Sequence, residues 1–397
     1  MNKKLCKYTF VNIIDIFMSM NFMSHTFTLT CALAAALCIV KARKSGSAIW
    51  GGLGGVATGL VSLIRPLDGL IVAVSLGLVT LGINGRRLKI SAIAAFVVST
   101  IIIGATILAY NKQITGDPTT FPLTAYYEQY YGHKSNALGF GPERGLGWAI
   151  DPFPGHSPLE ALINANLNTF AINIELFGWS TGSLFFIILF IFSGRMKRSE
   201  YFLLAFIMVV VVAYSLHWYS GGPDFGARYW YLILIPLVML TVKSVQFFDD
   251  YSFHNSIRSC NLYTSAMIVV MTLCVISFIN FFPWRAIDKY HHYRGRRPDI
   301  AYLAKKYSFG RSLVLVQGDS ADYLSAWIYN PLHPFADAPI YAWDQNLEIR
   351  ARVLEAYPDR PVWIVKGTSI THGPFQVIDG PLSISQVRKR ESNEDRF

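Results

Sequence analysis

Residues 202–240 read "FLLAFIMVVVVAYSLHWYSGGPDFGARYWYLILIPLVML". Two greasy runs, Phe202–Tyr214 and Trp230–Leu240, bracket a turn that carries Asp224, Arg228, three glycines and a proline. Each run is long enough to seek an apolar environment as a helix, while the segment between them wants water. The simplest reading is a membrane helix, a reversal outside the bilayer, and a second membrane helix.

Composition extends that reading to the whole chain. Of 397 residues, 52% are hydrophobic and only 15% charged, against roughly 25% charged in an ordinary soluble domain; the mean hydropathy is +0.35. The apolar excess comes in blocks near the ~20 residues needed to cross a bilayer. About eight spans are expected on this basis: Ser24–Val40, Ser47–Ile64, Leu67–Ile83, Ile90–Tyr110, Ile172–Ser193, Tyr201–Leu216, Arg228–Phe247 and Leu262–Phe282.

Basic clusters at Lys41–Lys44, Arg86–Lys89, Arg195–Arg198 and Lys243–Arg258 fall at alternate ends of successive spans, which assigns them to the cytoplasmic side. Arg65–Pro66, Asn111–Ala171, His217–Ala227 and the chain after Phe282 are then expected outside. The net charge of +10 is absorbed by those loop ends, so nucleic acid is not expected as a partner. Cys31, Cys38 and Cys274 fall in spans and Cys6 and Cys260 near the cytoplasmic face. No disulfide framework or metal cluster is expected from them. Met1–Met23 reads as a short, partly inserted segment rather than a signal peptide, because Asn12 and Asp15 interrupt it and no small-residue cleavage site follows.

Four regions result: a transmembrane block (1–110), an outer loop with short helices (111–171), a second transmembrane block (172–282) and an extracytoplasmic tail (283–397). The tail reads as a small α/β unit. "SLVLVQG" (Ser312–Gly318), "PIYAWD" (Pro339–Asp344) and "PVWIVKG" (Pro361–Gly367) are strand patterns, and "NLEIRARVLEAYP" (Asn346–Pro358) is a helix closed by proline. Their alternation favours a parallel sheet, and Val387–Phe397 is expected to be disordered. "VQGDSADY" resembles a nucleotide-binding turn only superficially, since it lacks the glycine fingerprint. Gly51, Gly55 and Gly59 recur every four residues and are expected to form a close helix-packing face, with a lipid groove as the lesser reading.

Arg65 and Asp68 lie at a proline-broken turn, and Asp224 and Arg228 at another on the same expected side. An arginine at headgroup depth beside Trp218, Tyr219, Tyr229, Trp230 and Tyr231 suits a lipid phosphate, because its planar fork matches phosphate oxygens. The ordinary alternative is that each arginine snorkels or pairs with its aspartate. The outer loop adds Asp117, Glu128, His133, Glu143, Arg144, Asp151, His156 and Glu160, with a cluster at Tyr126, Tyr127, Tyr130 and Tyr131. Tyrosine faces alternating with carboxylates suit carbohydrate, and a carboxylate such as Glu128 suits a general base. "HSPLEAL" is also a helix start with Ser157 as cap, which gives His156 and Glu160 a structural reading. The absence of charge in Ile90–Tyr110 and Leu262–Phe282 weighs against a proton-coupled transporter.

"MSMNFMSHTFTL" (Met18–Leu29), "GLVSLIRPLDGL" (Gly59–Leu70), "YYGHKSNALGFG" (Tyr130–Gly141), "HSPLEALINANLNTFAINIELFGW" (His156–Trp179) and "PDFGARYWYLILIPL" (Pro223–Leu237) together resemble bacterial GT-C-fold glycosyltransferases of the protein-mannosyltransferase and aminoarabinose-transferase class. The resemblance covers roughly residues 15–282. It implies a multi-pass enzyme of the bacterial cytoplasmic (inner) membrane that moves a sugar from a polyprenyl-phosphate donor to an acceptor at the outer face, without a cofactor. In that class the catalytic acid sits in a long outer loop after the first span, and this chain starts beyond the matching position. The expectation is therefore a shortened relative, active or inactive. Arg65, Asp68, Tyr126, Tyr127, His156, Asp224 and Arg228 are the expected substrate contacts and Glu128 the expected base. The alternative is a non-catalytic envelope protein that binds a lipid or protein partner through its outer loop and tail.

Overall fold

The structure, a computed structural model, describes residues 24–146, 155–221, 226–254, 262–293 and 296–394. Asp151, Asp224, Cys6, Cys260, the segment Met1–Met23 and the end of the Lys243–Arg258 connection lie outside the described residues. The chain divides into two compact units, Met1–Phe282 and Pro283–Phe397.

The first unit is helical. Helix α1 (His25–Ser45) carries no charge until Lys41 and ends on Gly46, whose φ of 68° supplies the left-handed cap. Helix α2 (Ala48–Ile64) and helix α3 (Pro66–Thr80) meet at Arg65, where Pro66 opens the new helix. Arg43 of α1 donates through Nη2 to the Val79 carbonyl at 2.6 Å and through Nη1 to that of Asn84 at 3.3 Å, so it satisfies orphan acceptors at the end of α3. Helix α4 (Ile90–Thr115) packs tightly on α2. A Cβ on Gly51 would come within 2.2 Å of the Ala92 carbonyl oxygen, and one on Gly55 within 2.2 Å of that of Phe96. The glycine stripe is thus a helix-packing face.

Among the described residues, four helices are long and apolar enough to cross a membrane: His25–Ser45, Ile90–Thr115, Arg228–Phe247 and Ala266–Lys289. This makes the chain a membrane-embedded protein, and it corrects the expectation of eight spans. Helices α2 and α3 are apolar but have only 17 and 15 residues. The expected span Ile172–Ser193 is broken. Helix α6 (Pro158–Glu175), which follows the short α5 (Pro122–Tyr131), stops there. Asn173 then accepts from the Leu184 amide, Ser183 from that of Phe177, and Gly178 and Gly182 adopt positive φ. Helix α7 (Phe185–Phe192) has 8 residues, about 12 Å. Polar side chains that capture backbone groups end a helix that hydropathy alone would continue. Helix α8 (Arg198–Tyr214) reaches 17 residues, a 3-10 turn (Arg228–Ile233) leads into α9 (Leu234–His254), and α10 (Leu262–Ile276) follows. A core of Leu29, Val61, Ile71, Ile172, Leu176, Phe177, Trp179, Trp230 and Leu237 joins α1, α2, α3, α6, the loop after α6, the 3-10 turn and α9.

The second unit is a four-stranded sheet in the order β2-β1-β3-β4. Strands β1 (Leu313–Gln317), β2 (Ile340–Trp343) and β3 (Val362–Lys366) are parallel, and β4 (Gln376–Leu382) runs antiparallel at the edge. Helices α11 (Asp299–Lys306), α12 (Ser320–Trp327), α13 (Leu347–Ala356), the short α14 (Thr368–Thr371) and α15 (Ile384–Glu394) complete it. Side chains alternate along β1: Val314 and Val316 join Ile300 and Phe309 on one face, while Leu313 and Leu315 join Leu354 and Val387 on the other. Val387 belongs to α15, so the segment expected to be disordered is helical through Glu394 and contributes to the core.

Candidate functional site

The α2–α3 turn places Arg65 and Asp68 one helical turn apart, and both are largely withdrawn from solvent. Arg65 Nε donates to Asp68 Oδ2 at 2.5 Å, Nη2 to the Tyr214 hydroxyl at 2.9 Å and Nη1 to His25 Nδ1 at 2.7 Å. The Tyr214 hydroxyl in turn donates to Asp68 Oδ1 at 2.5 Å. Arginine can only donate, so His25 accepts at Nδ1 and holds its proton on Nε2. The first turn of α1, the α2–α3 junction and the end of α8 are locked by this closed network, in which Asp68 neutralises Arg65.

Arg228, at the start of the 3-10 turn, converges on the same place. Its guanidinium carbon lies 5.5 Å from the Tyr229 ring centre and 5.7 Å from that of Tyr219, while that of Arg65 lies 5.3 Å from Tyr229. Tyr229 stacks on Tyr214 with ring centres 5.5 Å apart. The two arginine-bearing turns, 163 positions apart as 228 − 65, thus share one aromatic ring. Beside them is a cleft lined by Asn164, Asn168, Tyr214, Tyr219, Tyr229 and Trp230. Asn164 and Asn168 are one turn apart on α6, and Asn164 donates to the Trp218 carbonyl at 3.0 Å. The same helix carries the buried Glu175, whose carboxylate would collide with a Cβ on Gly226.

His156 and Glu160 are both buried, with His156 Nδ1 3.0 Å from Glu160 Oε2 and Nε2 3.0 Å from the Ser215 carbonyl. Both ring nitrogens face acceptors. His156 ties α6 to the segment after α8 and stands apart from the lining of the cleft, while Ser157 caps α6 by accepting from the Glu160 amide. The loop 111–171 is laced to the same segment by Gly139 N to Leu216 O at 2.7 Å and by Trp218 Nε1 to Asn136 Oδ1 at 3.2 Å. His217 lies between these contacts and packs edge-on against Tyr229. Burial, aided by the nearby His156 and Arg65 charges, pushes its pKa down to about 4, so it is neutral near pH 7.

Helix α5 presents Tyr126, Tyr127 and Glu128. Tyr126 and Tyr127 pack edge to face at 5.8 Å, and Tyr126 and Tyr130 are tilted against each other at 4.7 Å. Burial raises the Tyr127 pKa, and neighbouring Tyr229, Tyr131 and Tyr126 raise it further against the pull of Arg228. Tyr127 is therefore within electrostatic reach of the Arg228–Tyr229 pair. Glu128 is half-buried; it accepts from the Lys134 amide at 3.2 Å, and His133 Nδ1 lies 3.5 Å away. Asp117 is fully engaged by Thr119 and Thr120 in a local turn, and Glu143 lies 3.8 Å from Arg144. Asp224 lies outside the described residues. His25, Tyr214, Asn164 and Asn168 were not singled out by sequence; of these, only the Asn164–Asn168 spacing on one helix face was a usable signal.

The second unit has its own natural place for a ligand, the crevice at the carboxyl ends of β1 and β3, where the crossovers diverge. It is filled from within. Asp322 accepts from the amides of Asp319, Thr368 and Ser369 and from the hydroxyls of Thr368 and Ser369, at 2.5–3.2 Å. Burial raises its pKa, but the Ser369 and Thr368 hydrogen bonds outweigh that and hold it below the usual carboxylate range. Gly318 and Gly367 leave room for this carboxylate, which a Cβ at either would strike. The "VQGDSADY" turn thus spends its amides on an internal anion.

No protein-family model matches the chain, and neither a curated protein nor a solved structure does.

Proposed function

We propose that this protein is a GT-C-like glycosyltransferase of the bacterial cytoplasmic membrane, using a polyprenyl-phosphate-linked sugar as donor at the outer face. The observation that carries the reading is a cleft lined by Asn164, Asn168, Tyr219 and Tyr229, with the Arg228 guanidinium over the same two tyrosine rings. A guanidinium over two tyrosine rings suits the donor phosphate, and two amides beside them suit sugar hydroxyls. In this reading Arg65, paired with Asp68, builds the floor of the cleft, and Arg228, over the Tyr219 and Tyr229 rings, takes the phosphate. Tyr126 and Tyr127 approach the sugar from α5, and Asp224, four positions before Arg228 in sequence, orients that arginine.

In the transfer step the acceptor hydroxyl oxygen bonds to the anomeric carbon and the bond from that carbon to the phosphate oxygen breaks. Its electron pair leaves with polyprenyl phosphate, and the hydroxyl proton passes to Glu128 as base. His156 acts here only by holding α6 in place. The basic clusters face the cytoplasm, and the second unit lies outside.

The test is incubation of the purified full chain in lipid nanodiscs with a panel of radiolabelled polyprenyl-phosphate sugars and membrane extract as acceptor. Release of polyprenyl phosphate with transfer of label is expected, reduced by about 100-fold or more in Glu128→Gln. Binding of a donor without transfer by any sugar would favour the non-catalytic envelope protein, to which the neutralised Arg65 also lends itself.

A further inference from the structure

The second unit carries a surface that the sheet does not use. From Tyr323 to Ala336 the sequence has no Asp, Glu, Lys or Arg. Within that run Trp327, Ile328, Tyr329, Leu332 and Phe335 are all exposed, Leu332 completely and Phe335 at 71%. Contiguous apolar exposure of this kind marks a contact surface rather than ordinary scatter.

The loop is held in shape from behind. The Asn330 side chain pairs with the Tyr341 backbone in both directions, at 2.6 and 3.0 Å. Arg360 Nη2 donates to the carbonyls of Pro334 at 3.0 Å and Ala336 at 2.9 Å, and Nη1 to that of Ala338 at 2.7 Å. Pro331 and Pro334 bring no backbone N–H. Much of the backbone polarity is therefore paired or absent, which removes the main cost of leaving water.

What covers the loop is indicated by how the unit begins. Its first residues, 283–289, finish the apolar helix Ala266–Lys289. That helix end carries Trp284, Lys289 and Tyr290, with the Lys289 ammonium 5.7 Å from each ring, the composition of a bilayer–water boundary. From Lys289 to Asp299 the chain has ten steps, and so reaches at most about 35 Å.

We propose that Trp327–Phe335 is a membrane-surface anchor whose apolar side chains sink among lipid headgroups and upper acyl chains, holding the second unit against the bilayer that its own helix crosses. Aromatic and aliphatic side chains on a loop without charge suit that depth.

The test uses the full chain, with Cys6, Cys31, Cys38, Cys260 and Cys274 replaced by serine or alanine and a single environment-sensitive fluorophore at Leu332→Cys. Phe335→Cys serves as a second site should the first fail to fold, and Glu355→Cys, on the exposed side of α13, as control. In phosphatidylcholine–phosphatidylglycerol nanodiscs the 332 and 335 probes are expected to emit blue-shifted, and to lose most emission when headgroup-proximal spin-labelled lipid is included. The 355 probe should stay water-like and unquenched. Water-like emission at 332 and 335 overturns the anchor. Blue-shifted emission that spin-labelled lipid leaves unquenched overturns it too, because a protein surface would then cover the loop.

Discussion

Asp68 lies beneath two donors, Arg65 and Tyr214, and is 3% exposed. Removing one member of a buried ion pair leaves the other charge without compensation, a loss of about 3–5 kcal/mol. Asp68→Ala should therefore lower the thermal unfolding midpoint of the detergent-solubilised protein sharply. The double variant Asp68→Leu with Arg65→Met should recover much of the loss, since apolar groups of similar volume often replace such a pair at little cost. An unchanged midpoint in Asp68→Ala would mean the network contributes nothing. At this scale the sequence was only partly legible. The Arg65–Asp68 pairing follows from a spacing of three on one turn, but His25 and Tyr214 reach it from 40 and 149 positions away. No local pattern encodes such partners. Asn164 and Asn168 do share one helix face by their spacing, but their amides read as ordinary helix surface until Tyr219 and Tyr229 are brought beside them.

Helices α2 and α4 show what an element can announce about itself. A repeat of glycine at every fourth position states that a neighbour approaches closely, and the neighbour is the α4 backbone. Gly55→Val should force the pair apart, at a cost of about 1–3 kcal/mol or more, read as a lower unfolding midpoint. Gly77→Ala on α3 is the control, because nothing lies within 4 Å of its missing Cβ; its effect should be neutral or slightly stabilising. Equal effects from both substitutions would contradict the packing account. Elements whose ends depend on side-chain capture were harder to read. Hydropathy runs unbroken past Ile172, yet Asn173 and Ser183 take backbone groups out of the helix, and the span divides. Of the second unit, strands β1, β2 and β3 were legible from their apolar runs, and helix α13 from its apolar spacing and Pro358. Strand β4, with Asp379, Gly380 and Pro381 in its middle and half its side chains exposed, carries no such pattern.

For the molecule as a whole, long apolar helices and a small mixed sheet are two separately cored units on one chain. The Arg65–Asp68–His25–Tyr214 network of the membrane unit gathers where α1, α3 and α8 begin or end, and Asn164 and Asn168 of α6 lie beside it. Such placement suits work at an interface, on a ligand with an apolar tail and a charged head. The C-terminal unit has closed its own anion crevice with Asp322.

The most direct measurement is the affinity of the nanodisc-embedded protein for a polyprenyl phosphate, wild type against Arg228→Ala, with helix content checked by circular dichroism. Losing one charge-assisted contact of about 1.5–3 kcal/mol should weaken binding by roughly 10- to 150-fold while the helices stay intact. Equal affinity in an equally folded Arg228→Ala variant would contradict the account.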